Sequence, residues 1–189
     1  MKPLILSLLM LCAGSAVAQA PKLEMPKLEV AVKRVDIDAE RMYEVNATGS
    51  VAASLPTVWR ILTTYERMQE FVPDLSSCRV VSRNGNEVIV EQFGTAHFLF
   101  ISKAIHLVVR VNETPLSAID ISLISGDMKH YEARWELTPI PETGGTRISY
   151  HGKLLPSFYV PGMFGNQMIR GDIERMMSAV LARIDSKKE

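Results

Sequence analysis

Between Pro161 and Asp185 the chain carries apolar residues at Met168, Ile169, Ile173, Met176, Met177, Val180, Leu181 and Ile184. Those spacings place most of them on one broad stripe of a long helix. A stripe that wide has to be buried. After the N-terminal segment no second helical pattern of comparable length occurs, so the receiving surface must come from the short, β-rich segments that precede it. The expectation is an α+β fold, in which a curved antiparallel sheet is closed by the terminal helix and the space between them is either plugged or hollow.

The 21 basic and 21 acidic residues cancel, so no net field points to nucleic acid or to an anionic membrane as the main partner. The first residues, MKPLILSLLMLCAGSAVAQA, place Lys2 before an apolar run and end it in Ala16-Val17-Ala18, the layout of a cleavable export signal cut after Ala18. The run falls short of the roughly 20 residues that span a bilayer, so no stable transmembrane anchor is expected after cleavage. The implied location is periplasmic. Cleavage would leave Cys78 without a disulfide partner, so the fold must rest on its core. The remaining length suits one domain.

Residues 19–41 read as a charged tether with a candidate first strand: Pro21 and Pro26 punctuate a repeated PKLE unit, then Val30, Val32, Val35 and Ile37 suggest extended chain. A domain of residues 42–186 follows. Met42 to Val51 reads as a strand; Ser54 and Pro56 open a helix carrying Val58, Trp59, Leu62, Tyr65 and Met68, which Pro73 stops. Cys78–Ser82 and Glu87–Phe93 flank Asn84-Gly85, a hairpin signal. His97 to Val111 is one long strand or two shorter ones, apolar on both faces. Turns at Pro115–Ser117, Gly126-Asp127 and Gly144-Gly145 divide the rest into an antiparallel meander.

Two stretches in this order carry a resemblance. Val51 to Val81 holds Val58-Trp59 and Phe71-Val72-Pro73, and Gly126 to Leu154 holds Gly126, Trp135, Pro139 and Gly145. The chain resembles the START-like, or SRPBCC, superfamily, in its polyketide cyclase and coenzyme Q-binding branch. The resemblance implies a helix-grip fold, with a cavity between sheet and long helix that receives an apolar or amphipathic molecule. An export signal sets this chain apart from the cytosolic and mitochondrial relatives.

No catalytic motif stands out. The histidines His97, His106, His130 and His151 lack the short spacings of a metal site, so neither metal nor cofactor is expected. His151 falls on the polar side of its strand, and His130, Glu132, Arg134 and Glu136 alternate with Tyr131, Ala133, Trp135 and Leu137. Cys78 lacks a base nearby. Methionines cluster in the terminal segment, where they either roof a pocket or fill a core. Candidate ligand-binding residues are Phe98, Phe100, Trp135 and Tyr150 in the meander, and Met163, Phe164, Met168 and Met176 at the helix. Which face of residues 97–111 points inward stays open, because both are apolar.

Three readings compete. The leading one is an exported protein that binds a hydrophobic small molecule or lipid. A polyketide cyclase or dehydratase would need an acid or base in the cavity, for which Tyr150, His106 and Asp120 are the candidates. The third is a module that holds an envelope protein partner.

Overall fold

The computed structural model describes residues 28–37, 40–98, 101–160 and 164–186, of which 36, 37, 41, 98 and 101 are described by backbone alone. The strands are β1 (Glu29–Ile37), β2 (Glu40–Val51), β3 (Leu75–Asn84), β4 (Glu87–Phe98), β5 (Ile101–Thr114), β6 (Ala118–Gly126), β7 (Met128–Ile140) and β8 (Gly145–Pro156). The helices are α1 (Leu55–Thr63) and α2 (Gly165–Asp185), with a 3-10 segment at Tyr65–Glu70. All eight strands form one antiparallel sheet in the order β1-β2-β8-β7-β6-β5-β4-β3. This is the curved sheet and gripped terminal helix that the resemblance implies.

The candidate first strand on Val30 to Ile37 is present as β1, which pairs along its whole length with β2 and joins the sheet beneath α2. The differences from the expected elements have local causes. The first helix breaks at Thr64: the Thr63 hydroxyl donates to the Trp59 carbonyl at 2.8 Å and that of Thr64 to Arg60 at 2.6 Å. Such back-bonding competes with helix continuation. Ser54 stands at the N-cap, yet its hydroxyl meets Thr57 Oγ1 and caps no amide. The hairpin turn is Gly85-Asn86, since Asn84 pairs with Glu87, and Gly85 supplies the positive φ of 58°. The 97–111 segment splits, because β4 continues through Gly94 to Phe98 before β5 begins.

Burial assigns the faces. Val88, Val90, Val109, Val111, Ile119, Ala133, Trp135, Leu137, Ile148 and Tyr150 point inward, joined by Val45, Ala47 and Val51 of β2. From α2 come Ile169, Ile173, Met177, Val180 and Ile184, five members of the expected stripe. Two close approaches seat the helix. A Cβ at Gly49 of β2 would lie 2.6 Å from a Leu181 methyl, and a Cβ at Gly165 of α2 would lie 2.1 Å from the Tyr43 hydroxyl oxygen. Each element is bare where the other is bulky, and the helix is drawn down onto β1 and β2.

Candidate functional site

Among the described residues, seating α2 on β1 and β2 leaves the far half of the inner face less closely covered. Ile105 and Leu107 of β5, Ile121 of β6 and Tyr131 of β7 face inward but stay only half-buried. A hollow of about 240 Å³ lies between the β3–β5 part of the sheet and the helix. Leu75, Gln92, Ile105 and Leu107 form its sheet side, Ile173 and Met176 its helix side, and Val72 and Pro73 close one flank. Its volume is just under the roughly 300–1,000 Å³ of ordinary small-molecule sites. The lining is predominantly apolar, so burial at about 25 cal/mol per Å² is the force available to a guest.

Charge is confined to the rim. Asp74, held at φ 64° after Pro73, accepts from His97 Nε2 at 3.1 Å and from Arg175 at 3.2 Å. The same guanidinium reaches Asp172 at 2.6 Å. Burial holds the Asp172 carboxyl above its ordinary value of 3.8 in spite of Arg175. Four side chains from β4, the 72–74 loop and α2 thus tie the helix to the sheet at the opening. On the same side Arg183 donates to Glu70 at 2.8 Å.

Two phenols meet on the inner face of β7 and β8. Tyr131 and Tyr150 place their hydroxyls 3.5 Å apart, and Trp135 meets Tyr150 edge-on with ring centres 4.9 Å apart. Burial first, and then each other's presence for Tyr150, pushes both phenols above the usual range. They stay protonated at any working pH and cannot serve as bases.

The larger depression, about 510 Å³, lies on the opposite, outer face and has a different character. Its floor follows the cross-strand row Asn46, His151, Arg134, Asp120, Asn112. Arg134 donates to both Asp120 oxygens and to Glu136, and His151 meets Asn46 at 2.7 Å. These groups satisfy one another in the expected solvated ladder. His106 belongs to the same face, stacked on Phe93 and bonded to Glu91 at 2.9 Å.

The candidate residues are thus dispersed. Met176 lines the hollow; Trp135 and Tyr150, at 7% and 2% exposure, belong to the core beside it. Met168 is half-buried on α2, and Phe164 is exposed at the helix start. The Phe98 side chain, Phe100 and Met163 lie outside the described residues. Of the acid–base candidates, His106 and Asp120 point outward and only Tyr150 inward. Cys78 is buried, with burial raising its thiol, which suits a strand residue and not a nucleophile. Among the described residues no three His, Cys, Asp or Glu side chains converge to hold a metal.

Sequence reasoning missed Leu75, Gln92, Ile105, Leu107 and Ile173 as hollow-lining residues. Polar His106, Arg110 and Asn112 were the available signal, since they mark the outward parity of β5 and leave Ile105, Leu107, Val109 and Val111 for the inside.

An eight-stranded sheet gripping a C-terminal helix over an apolar hollow defines a helix-grip protein. Residues 51–181 match the model of the polyketide cyclase / dehydrase and lipid transport family, and the chain belongs to that family. Solved structures agree on the fold. A START superfamily protein from Mycobacterium smegmatis superposes with a TM-score of 0.67 at 18% identity, covering 77% of this chain and 99% of its own. A STAR-related lipid transfer protein fragment from Xanthomonas axonopodis gives 0.66 at 14% identity, over 85% of this chain and 97% of that one. The Zhui aromatase/cyclase from Streptomyces sp. R1128 gives 0.62 at 14% identity, over 77% and 93%. A comparison with curated proteins gave no match.

Proposed function

We propose that the protein binds an apolar small molecule or lipid in the hollow between α2 and the β3–β5 part of the sheet. The observation that carries this reading is that apolar side chains lining the hollow, Leu75, Ile105, Leu107 and Met176, stay only half-buried beside a packed core. A folded chain without a guest gains nothing from leaving them uncovered. The named lipid transfer and aromatase/cyclase neighbours support a fold suited to such guests. Binding is favoured over cyclisation, because His106 and Asp120 face away from the hollow and Tyr150, at 2% exposure, sits in the core and does not line it. The signal-like start of the chain supports an exported, periplasmic protein.

Native mass spectrometry of protein purified from its own host, followed by solvent extraction, tests the reading. The expected result is an added mass that leaves with the organic phase. Protein that is always empty, and that takes up no apolar probe, would overturn it. The N-terminal residue and the cell fraction of the same preparation test export.

A further inference from the structure

We infer that the Ser157–Val160 strap, which joins β8 to the segment before α2, docks on the surface of an anionic lipid bilayer. The inference deepens the proposed function, since a protein carrying a lipid or other membrane-soluble guest has to meet a membrane to exchange it. Beside the strap lies a cleft of about 320 Å³ whose charged lining, among the described residues, is Arg34 and Lys129, with no carboxylate. In a chain whose charges cancel overall, that is a local concentration of one sign.

Arg34 is held by its neighbour but not satisfied by it. Its guanidinium lies 5.2 Å from the Tyr43 ring centre and donates to the Tyr43 hydroxyl at 2.9 Å, while its buried Nε has no acceptor among the described residues. A phosphate oxygen is the acceptor a guanidinium fits best, and Arg34 lines the cleft with Lys129. On the other flank Lys103 places its Nζ 4.7 Å from the Phe158 ring centre. Tyr159, which lines the same cleft, stands 84% exposed, and Phe164 follows at 43%.

Cations around projecting aromatic rings favour the headgroup region of a bilayer, where the rings bury their apolar body and the charges meet phosphate. A free phosphate would use the cations and leave Tyr159 without a purpose. The bilayer accounts for both.

Sedimentation with vesicles tests this, using protein purified from its own host. Vesicles of phosphatidylcholine alone are compared with phosphatidylcholine mixed with phosphatidylglycerol, at low and high salt. Wild type should bind the mixed vesicles about tenfold more tightly at low salt and lose that preference at high salt. Lys129→Glu and Tyr159→Ser should each weaken binding about fivefold. Both positions are exposed, so circular dichroism should be unchanged and an apolar dye should still enter the hollow with wild-type affinity. Equal binding to both vesicle types, no binding to either, or variants that bind as wild type would overturn the inference. Loss of dye uptake by the wild type would instead strike the hollow.

Discussion

The Tyr43 hydroxyl fills the space that a side chain at Gly165 would need: a Cβ there would lie 2.1 Å from its oxygen. The contact pins the first turn of α2 to β2, and its reciprocal, Leu181 over Gly49, pins the last turns. Gly165→Ala is therefore expected to destabilise, although inside a helix alanine normally gains about 1 kcal/mol over glycine. Overpacking against Tyr43 should cost about 1–3 kcal/mol, read as a lower urea midpoint at unchanged slope. A stabilised variant would show that the helix does not sit where this contact places it.

Filling the hollow should separate binding from folding. Leu107→Trp projects a larger ring into the space of about 240 Å³ beneath Ile173 and Met176. Affinity for an apolar fluorescent probe should fall at least about tenfold, which is about 1.4 kcal/mol, while cooperative unfolding is retained. Unchanged affinity would mean that the probe binds elsewhere.

The 3-10 segment is anchored by a network in which Tyr65 donates to Glu113 Oε1 at 2.7 Å and Arg83 to Glu113 Oε2 at 3.0 Å. The Glu113 side chain is only 8% exposed, so its oxygens depend on these donors. Tyr65→Phe should cost about 1–3 kcal/mol, because a charged, largely buried acceptor loses one partner. Chemical denaturation of the purified variant measures it, and a change below about 0.5 kcal/mol would argue against the network.

Asp172 sets a pH dependence of defined sign. Its folded-state pKa is raised above 3.8 by burial, so the folded state binds the proton more tightly than the unfolded chain does. Its contribution to stability is fully present below 3.8 and is lost as pH rises through the higher folded value. Asp172→Asn should therefore be the more stable protein at pH 7 and lose that advantage in acid, as followed by urea unfolding across pH. The effect is modest, since the side chain is 40% exposed and still pairs with Arg175. An advantage that grew in acid would reverse the assignment.

Elements with a single apolar period were legible in the residue order. The α2 stripe, the alternation of Glu132, Arg134 and Glu136 with Ala133, Trp135 and Leu137, and the antiparallel meander all follow from local spacing. The outward direction of His151 was equally readable, because charged neighbours share its parity. β5 was harder to read: Ala104 and Val108 put apolar residues on the outward parity as well, and only His106, Arg110 and Asn112 further along mark it, a facing that pairing with β4 and β6 makes definite.

The candidate site was less legible than the fold. Asp74 and Arg175 are separated by 101 positions and meet at 3.2 Å only because the 72–74 loop and α2 converge at one end of the sheet. Trp135 and Tyr150 attract notice as large aromatic residues, yet they serve the core. Hydrophobic periodicity determined that this chain makes a sheet with one helix across it, since every apolar stripe must find cover. Tertiary structure alone decided that the cover is incomplete. Gly49 and Gly165 let the helix settle onto β1 and β2, and a rigid rod drawn to one side of a curved sheet stands away from the other.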